Sequence, residues 1–181
     1  GQMLELSPAV CAYLTLAAGC AFIDRVAEAF IGREAFRSEI LLLSGSSALA
    51  GIGLLLSASA DLGAPWSAVT GLHIAFMGGL GLGVFAVLCI AGLLHTNRPL
   101  GLSITMKLGG MALFASSVLR VAPDFGVALP GQSHAIASLL WASAFLIWIF
   151  ANWSSLTEVD SRQTLLSTPK EHSIETWRQA A

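Results

Sequence analysis

The chain has little charge. Only 11% of its 181 residues are Asp, Glu, Lys or Arg, against 55% hydrophobic, where soluble domains carry about a quarter charged residues. The mean hydropathy is +0.76. So much apolar side chain cannot be hidden inside one small core, and lipid must solvate the rest. A net charge of −2 and the lack of a basic patch give nucleic acid nothing to bind. Cysteine is scarce too. Cys11, Cys20 and Cys89 fall in apolar stretches, with no CxxC or CxxCH among them. That leaves out a zinc ribbon and covalently attached haem, and predicts buried free thiols. No Ser/His/Asp or Cys/His catalytic grouping can be argued from spacing, and carboxylate pairs suited to hydrolysis are missing. The sequence therefore names no catalytic residue.

What is there is a series of long apolar runs. They predict an all-α fold, a polytopic membrane bundle of about five transmembrane helices. The first runs from about Pro8 to Ile31 and the second from about Glu39 to Ala60. The third is entered near Pro65, since proline suits a first helical turn, and ends at His95. The fourth covers about Leu102 to Val121 and the fifth about Ser133 to Trp153. Short connections make neighbours antiparallel. Residues 1–153 are then the bundle and 154–181 a polar tail. In that tail Ser167-Thr168-Pro169-Lys170-Glu171 reads as the start of a short helix, which Trp177 would rest on the membrane surface.

Lysine and arginine in the short loops set the orientation. One side holds Arg33, Arg37, Arg98 and, in the tail, Arg162, Lys170 and Arg178. The other holds Arg120 with Glu5, Asp61 and Asp124. The basic side is expected to be cytoplasmic, which places the N-terminus outside and the C-terminus inside. Trp148 and Trp153 would then mark the inner interface and Trp66 the outer one. An outward N-terminus without a basic leader predicts one of two things: further helices precede it, or the first helix inserts in that sense unaided.

The third helix is the place to look for chemistry. From Ile74 to Leu94 it has no charge or strongly polar group, and an imidazole stands at each end, His73 and His95. At about 100° per residue both rings are expected on one face. His73 is either a ligand to haem iron or copper or a partner in a hydrogen bond between helices. Met77, four residues on, makes a His-x-x-x-Met pair with the softness that Cu(I) prefers. His95, in His95-Thr96-Asn97-Arg98, either caps the last carbonyls of its helix or binds a metal or haem, with Arg98 beside a haem propionate. His134 opens the fifth helix on the same side as His73. The two share a site only if the preceding loop dips inward; otherwise Gln132-Ser133-His134 is a helix cap.

The other charged groups read as supports. Gly79 and Gly83 form a GxxxG that admits a neighbouring helix or a flat macrocycle, and Gly109-Gly110 would complement it. Arg25 and Glu28 are spaced for an ion pair. Arg120 is expected to snorkel outward.

The chain resembles the C-terminal part of the NnrS family, bacterial haem- and copper-containing membrane proteins linked to nitric oxide metabolism. Three stretches carry the likeness. They are Leu72-His73-Ile74-Ala75 with Met77-Gly78-Gly79-Leu80-Gly81; Leu94-His95-Thr96-Asn97-Arg98-Pro99-Leu100; and Leu119-Arg120-Val121-Ala122-Pro123 through the Leu-Leu-Trp of the fifth helix. The resemblance implies a multi-pass protein of the bacterial inner membrane. It implies haem b, copper as a second metal, and His73 and His95 as ligands. It also implies partner helices from a missing half or another subunit. The competing expectation is a non-catalytic subunit packed in a larger membrane complex.

Overall fold

The computed structural model describes residues 6–29, 32–96, 98–127 and 131–167. Five helices are long and apolar enough to cross a membrane, and no strand occurs among the described residues. We label them α1 (Pro8–Ala27), α2 (Ser38–Asp61), α3 (Ala68–His95), α4 (Ile104–Val121) and α5 (Ser133–Ser167). Short 3₁₀ turns follow α1 (Gly32–Phe36) and α4 (Ala122–Phe125).

Local chemistry sets the ends. The Ser7 and Ser103 hydroxyls accept from the backbone N–H groups of Val10 and Met106, which starts α1 and α4. Ser67 does the same for α3 through Val69, so this helix begins at Ala68 and not at Pro65. The first helix stops at Ala27, short of the expected Ile31. The fifth does not stop at Trp153. It runs on to Ser167, because no glycine or proline interrupts it before Pro169. The surface helix expected from Thr168 onward lies outside the described residues.

α1 lies against α2 and α5 against α4, while α3 touches α2, α4 and α5. α3 is the centre. Half of its most apolar stretch is buried, against 11% for α1 and α5. Leu82, Phe85, Cys89 and Leu93 of α3 pack with Leu102, Met106 and Leu113 around α4 and with Ala144 of α5. Phe145 meets Phe85 edge-on at 5.9 Å between ring centres. The cysteines are free, but only Cys89 is buried; Cys20 is exposed. Trp148 is half-buried and packs against this core. It packs beside Gly92, and its buried indole nitrogen has no hydrogen-bond partner among the described residues.

Glycine lets α2 and α3 meet backbone to backbone. A Cβ on Gly53 would strike the amide nitrogen of Ala75 and lie 2.8 Å from its Cα. One on Gly71 would strike Ser57 of α2 in the same way. Gly79 faces Ala50 and Gly83 faces Ser46, so the GxxxG of α3 packs against α2, and the same glycines line an apolar cavity of about 520 Å³ that Phe22, Leu54 and Val87 also border. Gly109 and Gly110 do not complement that motif. They make room for Phe85 and for Leu42.

α3 is not one regular helix. Ile74–Leu80 winds as a π-helix, with the Gly81 N–H donating to the carbonyl of Phe76 five residues back. A π turn accommodates an extra residue, and such turns recur at functional sites. Here the freed acceptor is taken by α5: the Trp141 indole N–H donates to the Met77 carbonyl at 3.2 Å. Gly81 admits that ring, since a Cβ there would sit 2.8 Å from the indole nitrogen. The slower winding spaces the exposed residues four apart, at Leu72, Phe76, Leu80 and Val84.

Two pairs of substitutions, each a test with its control, probe this packing. Gly53→Leu should destabilise the detergent-solubilised protein by on the order of 3 kcal/mol, read as a fall in Tm. Gly45→Ala, whose Cβ would meet only Leu82 at 3.5 Å, should leave Tm unchanged. Trp141→Phe should cost about 1 kcal/mol and speed amide exchange around residues 77–82, with exposed Trp153→Phe as the neutral control.

Candidate functional site

Polar side chains gather where α3 begins, α4 ends and α5 begins. Starting α3 at Ala68 makes His73 its sixth residue, roughly 7.5 Å along the axis. That is shallower than an origin at Pro65 implies. His134 is the second residue of α5. The two histidines therefore lie at similar levels, each near the start of its helix. Arg120, in the last turn of α4, closes the gap. One guanidinium nitrogen, Nη2, lies 3.3 Å from Nε2 of His73, and the other, Nη1, is in hydrogen-bond contact with Nδ1 of His134.

This geometry fixes the protonation of both rings. A guanidinium only donates. His73 Nε2 and His134 Nδ1 must therefore accept, so both rings are neutral, with their protons on the opposite nitrogens. Arg120 does not snorkel freely outward as the sequence suggested. It is half-buried and spans two helices. Among the described residues the ion pairs are those of Arg37 with Glu34 and Glu39, and none involves Arg120. The pair expected between Arg25 and Glu28 is not formed.

A second bond locks the same corner. Thr70, 1% exposed, donates its hydroxyl to Asp124 Oδ2 at 2.7 Å. A carboxylate acceptor makes this roughly twice as strong as a neutral pair. Asp124 sits on the 3₁₀ turn after α4, which Gly126 ends in the left-handed region at φ 79°. Phe125 of that turn stacks obliquely on Trp66, 6.5 Å between centres, and Trp66 donates to the Leu56 carbonyl. The loop before α3, the start of α3 and the end of α4 are thus tied together around His73. Thr70 and His73 are three apart on one helical face, and Arg120 and Asp124 four apart at one helix end. Those spacings, and a lone arginine in an apolar helix, were the signals in the sequence for a cluster that it did not assemble.

The remaining candidates lie apart. His95 ends α3 about 22 residues from His73, is exposed, and makes no side-chain hydrogen bond among the described residues. The π turn shifts the phase between the two rings by roughly one residue, about 100°, and His95 is exposed where His73 is half-buried. His95 does not cap the helix. The Thr96 hydroxyl donates to the carbonyls of Gly92 and Leu93, and the backbone N–H of Arg98 reaches the Leu93 carbonyl as well. The Arg98 side chain is exposed. Met77 is half-buried, and the group it engages is its carbonyl, with Trp141.

The donor set has a definite chemistry. Two neutral imidazole nitrogens present lone pairs to one group. No three His, Cys, Asp or Glu side chains among the described residues lie close enough to hold a metal by themselves. Haem supplies four ligands of its own and takes one or two from the protein, so the pair fits haem in number and kind. A protein-only copper or zinc centre would need more.

Comparison with known proteins agrees with the likeness drawn from the three stretches. No curated protein and no solved structure matches the chain. The family model described as NnrS protein matches residues 2–159, most of the sequence. The chain belongs to the NnrS family.

Proposed function

We propose that this chain is a haem-binding integral membrane protein whose site is the corner around His73. Its role concerns nitric oxide or another small redox ligand. The observation that carries the reading is the convergence of two neutral imidazoles on a single group. His73 and His134 would hold the haem. It would be haem b, since no CxxCH is available to attach it covalently. When bound, haem supplies one-electron chemistry and an iron that takes small ligands. The protein's part is to hold the imidazole tautomers through Arg120 until a ligand takes its place, and to anchor the α3–α4 corner through Thr70 and Asp124. His95 with Arg98 is the second candidate position, at the far end of α3. Copper is the other metal the family likeness supports; it would take His73 in place of haem, with Met77 among its donors.

The membrane setting belongs to the same reading. The exposed apolar residues along all five helices suit contact with lipid and with other transmembrane helices. The family and the arginine-rich side of the loops support a bacterial cytoplasmic membrane with the His73 end outward.

Purified protein should show a Soret band that shifts on reduction with dithionite. His73→Ala and His134→Ala should each weaken it several-fold, and His95→Ala should leave it in place. Loss in His95→Ala alone moves the haem to the far end. A colourless, metal-free protein, with histidine variants of unchanged stability, would select the accessory-subunit alternative. Copper analysis of haem-free Met77→Leu tests the other metal: the copper content should fall, while haemin added to the same variant still gives a Soret band.

A further inference from the structure

We infer that Arg120 is the exchangeable occupant of the two-imidazole site, so that this site selects a ligand carrying its own carboxylates over a bare cation. The inference rests on the haem reading above and adds a specificity device to it. Arg120 donates to Nε2 of His73 and Nδ1 of His134. Those two lone pairs are what an iron or copper ion needs. The other nitrogen of each ring carries the proton and cannot stand in. Ligation and the arginine bonds are therefore mutually exclusive at each ring.

What becomes of the released guanidinium decides which ligand the site prefers. Arginine stays charged under all ordinary conditions. A bare copper ion would add positive charge beside it, at the edge of an apolar bundle where screening is weak. A ligand bearing carboxylates brings the anion that Arg120 then lacks, and guanidinium–carboxylate bonds are among the strongest of their kind. Asp124, four residues on, is a poor alternative. It is exposed and already accepts from Thr70, and an exposed ion pair contributes little. The chemical class selected is a flat metallomacrocycle with peripheral carboxylates.

The probes are haemin and haemin dimethyl ester, which differ only in those carboxylates, and Cu(I). Each is titrated into the full chain in detergent. The wild type should bind the free acid about tenfold tighter than the ester. In Arg120→Gln that ratio should fall close to one, and Cu(I) binding should tighten. Arg120→Lys, which keeps the charge, should retain the preference for the acid. A readout free of any cofactor comes from imidazole ¹⁵N spectra of the ligand-free protein. His73 Nε2 and His134 Nδ1 should both be unprotonated, and Arg120→Gln should shift both. The same acid-to-ester ratio in wild type and Arg120→Gln overturns the inference while leaving the haem reading intact. Protonated Nε2 on His73 in the wild type overturns it as well. Failure of the wild type to bind haemin at all overturns both.

Discussion

Two main chains touch where α2 crosses α3, and everything else is hung from that contact. Gly53 and Gly71 leave no side chain between the helices. α3 can then sit at the centre of the bundle, with α4 and α5 on its other flank. In lipid there is little hydrophobic gain in bringing two apolar helices together, so close packing must supply the specificity. The glycine crossing does this for α2. On the other flank the supply comes from aromatic rings, with Phe85 against Phe145 and Trp141 on the π turn. His73 stands at the seam between these two kinds of packing.

The π turn and the site are parts of one solution. A regular α3 would carry the exposed face straight through to its second half. The extra residue between Ile74 and Leu80 keeps the first half turned to α2 and lets Leu82, Phe85 and Cys89 face α4 and α5. The cost of the irregular winding is an acceptor without its usual donor, and the indole of Trp141 meets it from a helix that also carries His134. One helix thus both repairs the distortion in α3 and supplies the second imidazole.

Much of this was legible in the sequence, and what was not has physical causes. The apolar runs fixed the number and order of helices, since a membrane demands length and hydrophobicity before anything else. The serine caps at Ser7 and Ser103 start their helices within two residues of where the apolar runs put them, while Ser67 starts α3 three residues after Pro65. The π turn itself was hidden, because no residue type announces a change from α to π winding. Arg120 was taken for a snorkelling cation because single-helix reasoning sees only the distance to water. Its two partners come from two other helices, and no spacing along the chain contains that meeting. Asp124 and Thr70 were hidden for the same reason.

The unbroken run of α5 has a mechanical meaning. Its 35 residues span roughly 52 Å at 1.5 Å per residue, against about 30 Å of hydrocarbon. One helix therefore carries a ring nitrogen in its first turn and is longer by roughly 20 Å than the hydrocarbon it would cross. A rod this long turns small angles into large strokes: about 5° of tilt at one tip sweeps the other through roughly 4–5 Å. Whatever grips the protruding length holds a lever whose short arm ends on an imidazole.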